Sequence, residues 1–83
     1  MDSDTPTETL DVTGESCPMP VVKTKQAVDD LASGDLLEVH ATDAGSVSDI
    51  DGWAAGTPGV ELVDQSEQIQ NDTTVYVHRV RVE

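Results

Sequence analysis

The stretch Leu10–Pro20, which reads Leu-Asp-Val-Thr-Gly-Glu-Ser-Cys-Pro-Met-Pro, combines a strand pattern with a helix start. Polar and apolar residues alternate over residues 9–13, as in a half-buried strand, and the glycine that follows ends the pattern. Pro18 and Pro20 favour a helix start, because the N–H group that proline lacks would have no partner in the first helical turn. Cys17, the only cysteine of the chain, is therefore predicted to lie between a strand and a helix N-terminus.

Helical and strand patterns alternate downstream of this junction. Val21, Val28 and Leu31 recur at helical spacing and predict a helix over 21–32, with Gly34 as its C-terminal stop. Residues 35–42 predict a strand, because apolar side chains alternate along them. One face of that strand would carry Leu37, Val39 and Ala41, and the other Leu36, Glu38 and His40.

A second helix is predicted to begin at Ser46 and to end before Gly56. The Ser46 hydroxyl can cap its N-terminus, and the Asp49 carboxylate, three positions on, complements the helix dipole. We expect the core-facing residues of this helix to be Val47, Ile50 and either Trp53 or Ala54.

Two valine-rich segments, 60–68 and 74–82, are predicted to form a hairpin, since Asn71 and Asp72 tolerate a turn. The apolar residues of the last segment occur at both odd and even positions, so its buried face stays unassigned. A bulge, which shifts the alternation by one residue, would bring them onto one face. The order βαβαββ predicts an α+β two-layer sandwich, with a four-stranded mixed sheet and two helices packed on one face. We expect residues 1–8 to be a disordered acidic extension and residues 9–83 to be a single domain.

The charge of the chain restricts its partners. Its 83 residues include 17 Asp and Glu against 4 Lys and Arg, which gives a formal net charge of −13. Such a charge repels phosphate backbones and anionic lipids, so we expect neither nucleic acid nor a membrane as a direct partner. The sequence has neither an apolar run of the roughly 18 residues that span a bilayer nor the N-terminal pattern of a signal peptide, and we expect a cytoplasmic protein.

The acidity runs along the whole chain and is not gathered in a tail. Carboxylates that repel one another in dilute buffer are screened and strongly hydrated in concentrated salt, so this pattern favours a halophilic source. The alternative is an acidic interaction protein from an ordinary cell.

Cys17 is the candidate nucleophile. A lone cysteine can form neither an intramolecular disulfide nor a zinc site made of cysteines alone. The N–H groups and the positive dipole end of a helix N-terminus favour the thiolate, which is the nucleophilic form of cysteine. Glu15 and the net negative charge act in the opposite direction. Pro18 and Pro20 are the candidate residues that position the thiol.

These residues resemble the TusA (SirA-like) family of small sulfur carriers, whose hallmark is a Cys-Pro-x-Pro motif after a Leu-Asp-x-x-Gly strand. Cys17–Pro20 matches the motif in full. The segment 49–53 is similar to the family's Asp-Ile-Pro-x-Trp, and 59–62 to its Gly-His-Glu-Leu. The resemblance covers residues 9–83. Three positions depart from the family pattern, which has proline, histidine and a basic residue in place of Asp51, Val60 and Ser16.

The resemblance implies that Cys17 accepts a sulfane sulfur as a persulfide and passes it on, without a cofactor. The donor would be a cysteine desulfurase or a rhodanese-like protein, and the acceptor a further protein. We expect the carrier to be a monomer that works with these partner enzymes.

Two other classes of function stay open. The first is a regulatory or interaction module in which Cys17 is at most a redox sensor, although a lone thiol could form only an intermolecular disulfide. The second is an acidic structural protein with an inert cysteine. His40 and His78 lack further ligands at zinc-like spacing, so we expect them to be surface or sheet-packing residues and expect no metal site. A Cys–His–Asp hydrolase lacks an oxyanion motif near Cys17.

Overall fold

The computed structural model describes residues 6–16 and 19–83, which form the predicted βαβαββ order. The strands are β1 (Glu8–Val12), β2 (Leu36–Ala41), β3 (Val60–Gln70) and β4 (Thr73–Val82), and the helices are α1 (Met19–Asp29) and α2 (Ser46–Ala55). None of the helices in these ranges is long and apolar enough to cross a membrane.

The sheet starts one residue before the predicted boundary at Thr9. Glu8 is the first residue of β1, and the Thr7 N–H donates to the Leu36 carbonyl oxygen at 2.7 Å. Glu8 thus belongs to the sheet, and the Thr7 backbone is hydrogen-bonded to the start of β2. Residues 1–5 of that predicted extension lie outside the described residues.

The strand order is β1-β2-β4-β3, with β1 parallel to β2 and with β4 antiparallel to both β2 and β3. Strands β1, β2 and β3 therefore all point the same way, and α1 and α2 are both crossovers between parallel strands. Both crossovers step in the same direction along the sheet, so the right-handed rule places both helices on one face. The predicted two-layer α+β fold is confirmed.

The core lies between this face and the helices. Its fully buried members are Val12, Leu37, Val39, Ala41, Ile50 and Val80. One of the two predicted faces of β2, that of Leu37, Val39 and Ala41, is buried in this cluster. The predicted helical stripe is confirmed, since Val21, Val28 and Leu31 pack against the cluster. In α2 Ile50 and Ala54 are buried, and Trp53 packs against the core.

The bounds of α2 match the sequence prediction, whereas α1 begins and ends earlier than predicted. α1 spans Met19–Asp29, and the chain then tightens into i→i+3 hydrogen bonds at Asp30 and Leu31, well before Gly34. In α2 the N-cap residue is Gly45, and no side chain caps the helix. The predicted capping role of Ser46 is wrong, because its hydroxyl hydrogen-bonds with the His78 ring instead.

Strand β4 is buried on both faces, which explains its conflicting parities. It lies between β2 and β3. Val80 packs against the helices, while Val75 and Val77, of the opposite parity, are only 3% exposed. The irregularity in the sheet is on the partner strand, where a register shift lies between Leu62 and Asp64 of β3. The turn at Asn71 and Asp72, which have φ of 50° and 63°, confirms the predicted hairpin.

Candidate functional site

The site predicted from the sequence lies between the end of β1 and the start of α1. Cys17 and Pro18 themselves are outside the described residues. The residues on either side, Ser16 and Met19, are described. The Met19 N–H donates to the Ser16 carbonyl oxygen at 2.9 Å, so the helix start is tied directly to the preceding loop.

Three hydrogen bonds shape the loop before the cysteine. Both the backbone N–H and the hydroxyl of Thr13 donate to Asp11 Oδ1, at 2.9 and 2.7 Å. These bonds, that from the hydroxyl first, hold the pKa of the Asp11 carboxyl below its usual value. The Gly14 N–H donates to Thr42 Oγ1 at 2.8 Å, which ties the loop to the residue that follows β2. Gly14 has φ of +81°, a conformation that favours glycine.

The start of α1 is fixed by its own buried contacts. Pro20 is the second residue of the helix and is fully buried. Its carbonyl oxygen accepts a hydrogen bond from the buried Thr24 hydroxyl at 2.7 Å. The first turn contains no acidic residue, so no carboxylate of the helix competes there for the positive end of the dipole.

An ion pair joins the loop to the helix. Lys23 Nζ contacts Glu15 Oε2, and the two side chains are 39% and 29% exposed. The sequence alone indicated that Glu15 disfavours an anionic sulfur at Cys17. The structure shows that a cation from the next helical turn neutralises this carboxylate. Lys25, two residues further on, is exposed, as expected for a helix surface.

Two apolar side chains are exposed in and just after the motif. Met19 and Val22, one helical turn apart, are 39% and 36% exposed. Ser16, which precedes Cys17 in the sequence, is exposed as well.

The two histidines lie apart from each other on opposite faces of the sheet. The parity of β2 places His40 on the face away from the helices, where Nε2 lies 2.7 Å from a Glu38 oxygen. The His40 contact, followed by that of Arg79 at 3.2 Å, lowers the pKa of Glu38 against the cost of desolvation. His78 is fully buried on the helix side. Within residues 6–16 and 19–83, no group of three or more metal-binding side chains is found.

The end of the sheet that carries the loops after β1 and β2 also carries an open pocket of about 240 Å³. Its lining residues are Val47, Gln65, Ser66, Glu67 and Tyr76. Tyr76 pairs with Ala41 at the C-terminal end of β2, which is also the end that precedes Thr42. The β3–β4 turn, the loop after β2 and the loop after β1 therefore share one edge of the molecule.

Comparison with known proteins identifies the family of this chain. The profile of the family described as Sulfurtransferase TusA matches residues 8–81. The chain belongs to the TusA family. The resemblance to this family that the sequence indicated is thereby confirmed.

Two similar proteins are described as sulfur carriers, and a similar solved structure as SirA-like. A candidate sulfur carrier protein of Halobacterium salinarum is 71% identical over 75 residues, which cover 90% of this chain and 88% of that protein. The sulfur carrier protein TusA of Allochromatium vinosum is 42% identical over 59 residues, or 71% of this chain and 76% of that protein. The crystal structure of a SirA-like protein from Desulfitobacterium hafniense has a TM-score of 0.68 at 25% identity, covering 92% of this chain and 99% of that one.

Sequence reasoning missed three features of this TusA-family site. These are the Glu15–Lys23 ion pair, the Gly14–Thr42 hydrogen bond and the contacts of the buried His78. The ion pair could have been predicted, since Glu15 before the motif and Lys23 in the first turns of the helix are oppositely charged. The second joins residues 28 positions apart, and no periodic pattern signals such a contact.

Proposed function

We propose that this chain is a sulfur carrier in which the Cys17 thiolate accepts a sulfane sulfur and passes it to an acceptor protein. The observation that carries the proposal is the position of the Cys-Pro-x-Pro motif at the start of α1, in a chain whose family is TusA. The role is assigned to the single domain predicted over 9–83, whose first strand also includes Glu8.

The relay consists of two exchange steps at sulfur. The Cys17 thiolate attacks the outer sulfur of a persulfide on the donor, a cysteine desulfurase or a rhodanese-like protein. The donor's own sulfur leaves as a thiolate, and Cys17 now carries the persulfide. An acceptor thiolate then attacks this outer sulfur, and Cys17 leaves as a thiolate. The transferred sulfur keeps its oxidation level throughout, so no cofactor or external oxidant is needed.

The residues around the motif support this chemistry. A persulfide is anionic at neutral pH, and the first turn of α1 offers a positive dipole end and no carboxylate. The Glu15 charge is balanced by Lys23. Pro18 and Pro20 position the thiol in this proposal, and the burial of Pro20 anchors the helix start behind it.

The exposed Met19 and Val22 provide apolar contact area for donor and acceptor in turn. Because the same small surface has to serve both partners, we propose that the carrier acts as a monomer that binds one partner at a time. We place the relay in the cytoplasm, where thiols stay reduced.

The test is the intact mass of the protein after incubation with a cysteine desulfurase and cysteine. The wild-type chain is expected to gain one sulfur mass that a reductant removes. Cys17→Ser, which keeps the shape but lacks the thiol, is the matched control and is expected to gain none. A rhodanese and inorganic polysulfide serve as further donors. Equal labelling of both proteins, or no labelling of the wild type by any of these donors, would refute the proposal and favour a regulatory module.

A further inference from the structure

His78 is a buried titratable side chain that the sulfur relay does not use. It lies near the middle of β4 and has no exposed surface. Its ring is held between two other elements. Nε2 lies 3.0 Å from Ser46 Oγ, in the first residue of α2, and Nδ1 lies 3.0 Å from Gln65 Nε2, on β3.

The neighbours of the ring determine where its proton sits. Gln65 Nε2 also donates to the Val47 carbonyl oxygen at 2.9 Å, and an amide nitrogen can only donate. The amide therefore donates one hydrogen to Val47 and the other to Nδ1 of His78. Nδ1 must be an acceptor, so the proton of the neutral ring is on Nε2 and is donated to Ser46 Oγ.

A second proton cannot be added to this ring without breaking the arrangement. It would have to bind at Nδ1, where it would face the amide hydrogen of Gln65. Rotating the amide by 180° would turn its oxygen toward Nδ1, but would also turn it toward the Val47 carbonyl oxygen, leaving two acceptors face to face. The first outcome pushes the Gln65 amide away from the ring, and the second sets its oxygen against the Val47 carbonyl oxygen. Either outcome therefore disturbs the contact by which Gln65 holds the start of α2. Burial also lowers the pKa of His78, because the charged ring would lose its hydration.

The other charged groups on the packed elements do not replace these partners. On the helix side of the sheet, the parity of the strands places Glu67 of β3 and Tyr76 of β4, while β2 contributes the apolar Val39 opposite His78. The other titratable groups of β2, β3 and β4 point to the opposite face: Glu38, His40, Glu61, Asp64, Arg79 and Arg81. At the start of α2 the acidic residues are Asp43, Asp49 and Asp51. Their charges favour an imidazolium at long range, and concentrated salt screens this effect.

We propose that His78 is a pH-sensitive latch that holds the first turn of α2 against the β3–β4 hairpin and releases it when the ring is protonated. Ser46 and Gln65 are its two contacts. The released segment borders the pocket of Val47, Gln65 and Tyr76, at the edge of the sheet that also carries the loops after β1 and β2. A fall in pH would thus loosen this edge while β1 and β2 stay paired.

The direction of the pH effect follows from proton binding. An unfolded or released His78 binds a proton near pH 6.5, whereas the packed ring binds it only at lower pH. The latched state is therefore fully populated above about pH 6.5 and loses stability as the pH falls from there to the lowered pKa. Within this window the equilibrium constant for opening rises by up to about tenfold per pH unit.

The first test is an NMR titration of the ring nitrogens in molar KCl, with His40→Gln and His78→Gln used for assignment. A neutral Nε2–H ring whose titration midpoint lies below 6.5 is expected for His78. The opposite tautomer, or a ring that charges at an ordinary midpoint while the protein stays folded, would overturn the proposal.

The second test is the hydrogen-exchange protection of the Ser46, Val47 and Asp49 amides, all of which are hydrogen-bonded. After correction for intrinsic exchange rates, their protection is expected to fall below pH 6.5 in wild type and in His40→Gln. In His78→Gln, whose amide can replace both contacts, it should stay constant. Equal pH dependence in wild type and His78→Gln would refute the latch.

Gln65→Glu keeps the test decisive if His78→Gln does not fold. A carboxylate opposite Nδ1 accepts a hydrogen bond from the charged ring, so the titration midpoint of His78 should rise relative to wild type. An unchanged or lower midpoint in this variant would show that Gln65 does not control the protonation of the ring.

Discussion

Replacing Thr42 by valine removes the acceptor of the Gly14 N–H without changing the size of the side chain. In the wild type this 2.8 Å bond joins the loop before the Cys-Pro-x-Pro motif to the end of β2. We expect Thr42→Val to lower the stability of the protein only slightly and to slow sulfur transfer. Thr42→Ser, which keeps a hydroxyl at the same position, is the matched control.

The magnitude follows from the exposure of the bond. A protein hydrogen bond contributes about 0.5–1.5 kcal/mol net. Gly14 is exposed, so water can satisfy its N–H when Thr42 is replaced, and the loss should be at the lower end, about 0.5–1 kcal/mol. For a domain of this size, that corresponds to a fall in melting temperature of roughly 2–8 °C. If the same free energy holds the loop in its reactive arrangement, sulfur transfer slows by about two- to fivefold.

The assay compares thermal unfolding with the rate at which each protein gains sulfur from polysulfide. Thr42→Ser should match wild type in both measurements. A rate loss of several hundredfold in Thr42→Val would mean that Thr42 takes part in the chemistry. An unchanged rate in a destabilised Thr42→Val would mean that the bond supports the fold alone, and either result would refute the reasoning.

Three further predictions concern charge and the motif. The stability of the fold should rise with salt, because the Debye length falls from about 10 Å at 0.1 M to about 3 Å at 1 M and the repulsion between carboxylates is screened. Far-UV circular dichroism during a KCl titration checks this, and a thermal stability that does not change with salt would contradict it. Pro18→Ala should leave the fold nearly intact but slow sulfur transfer, because the thiol loses its orientation, and an equally fast variant would reduce the motif to a helix start. Lys23→Met should change the free energy of unfolding by less than about 1 kcal/mol yet slow the reaction with polysulfide, because the Glu15 charge is left unpaired. Lys25→Met, the control, should match wild type. Equal rate losses in the two variants would point to an effect of net charge alone.

The fold could be predicted because its signals are local and periodic. The alternation in β2 identified the buried side chains Leu37, Val39 and Ala41, and the helical spacing in α1 identified its inward stripe. Asn71 and Asp72 identified the hairpin turn, since both residue types tolerate positive φ. The family could be inferred from the motif of Cys17–Pro20 together with the order of the elements.

The errors arose where a distant residue competes with a local preference. Ser46 is a good capping residue by type, but His78, 32 positions away, uses its hydroxyl. The faces of β4 could not be assigned, because Val80 on one face and Val75 and Val77 on the other are all buried. The irregularity that shifts the register lies in β3, where Val63 is 41% exposed and the sequence pattern gives no warning of it.

The topology explains why the motif and the His78 latch lie at the same edge of the sheet. Because β1, β2 and β3 are parallel, α1 and α2 both start at the C-terminal ends of their preceding strands. The antiparallel β4 brings the hairpin turn to that edge as well. Two helix N-termini with their positive dipole ends thus lie on the same side of a protein with a net charge of −13. An anionic sulfur at Cys17 is disfavoured by the charge of the whole chain and favoured by these dipoles. Concentrated salt screens the distant carboxylates more strongly than the adjacent N–H groups, so the balance shifts toward the thiolate as salt rises, and sulfur transfer should accelerate with KCl in parallel with folding.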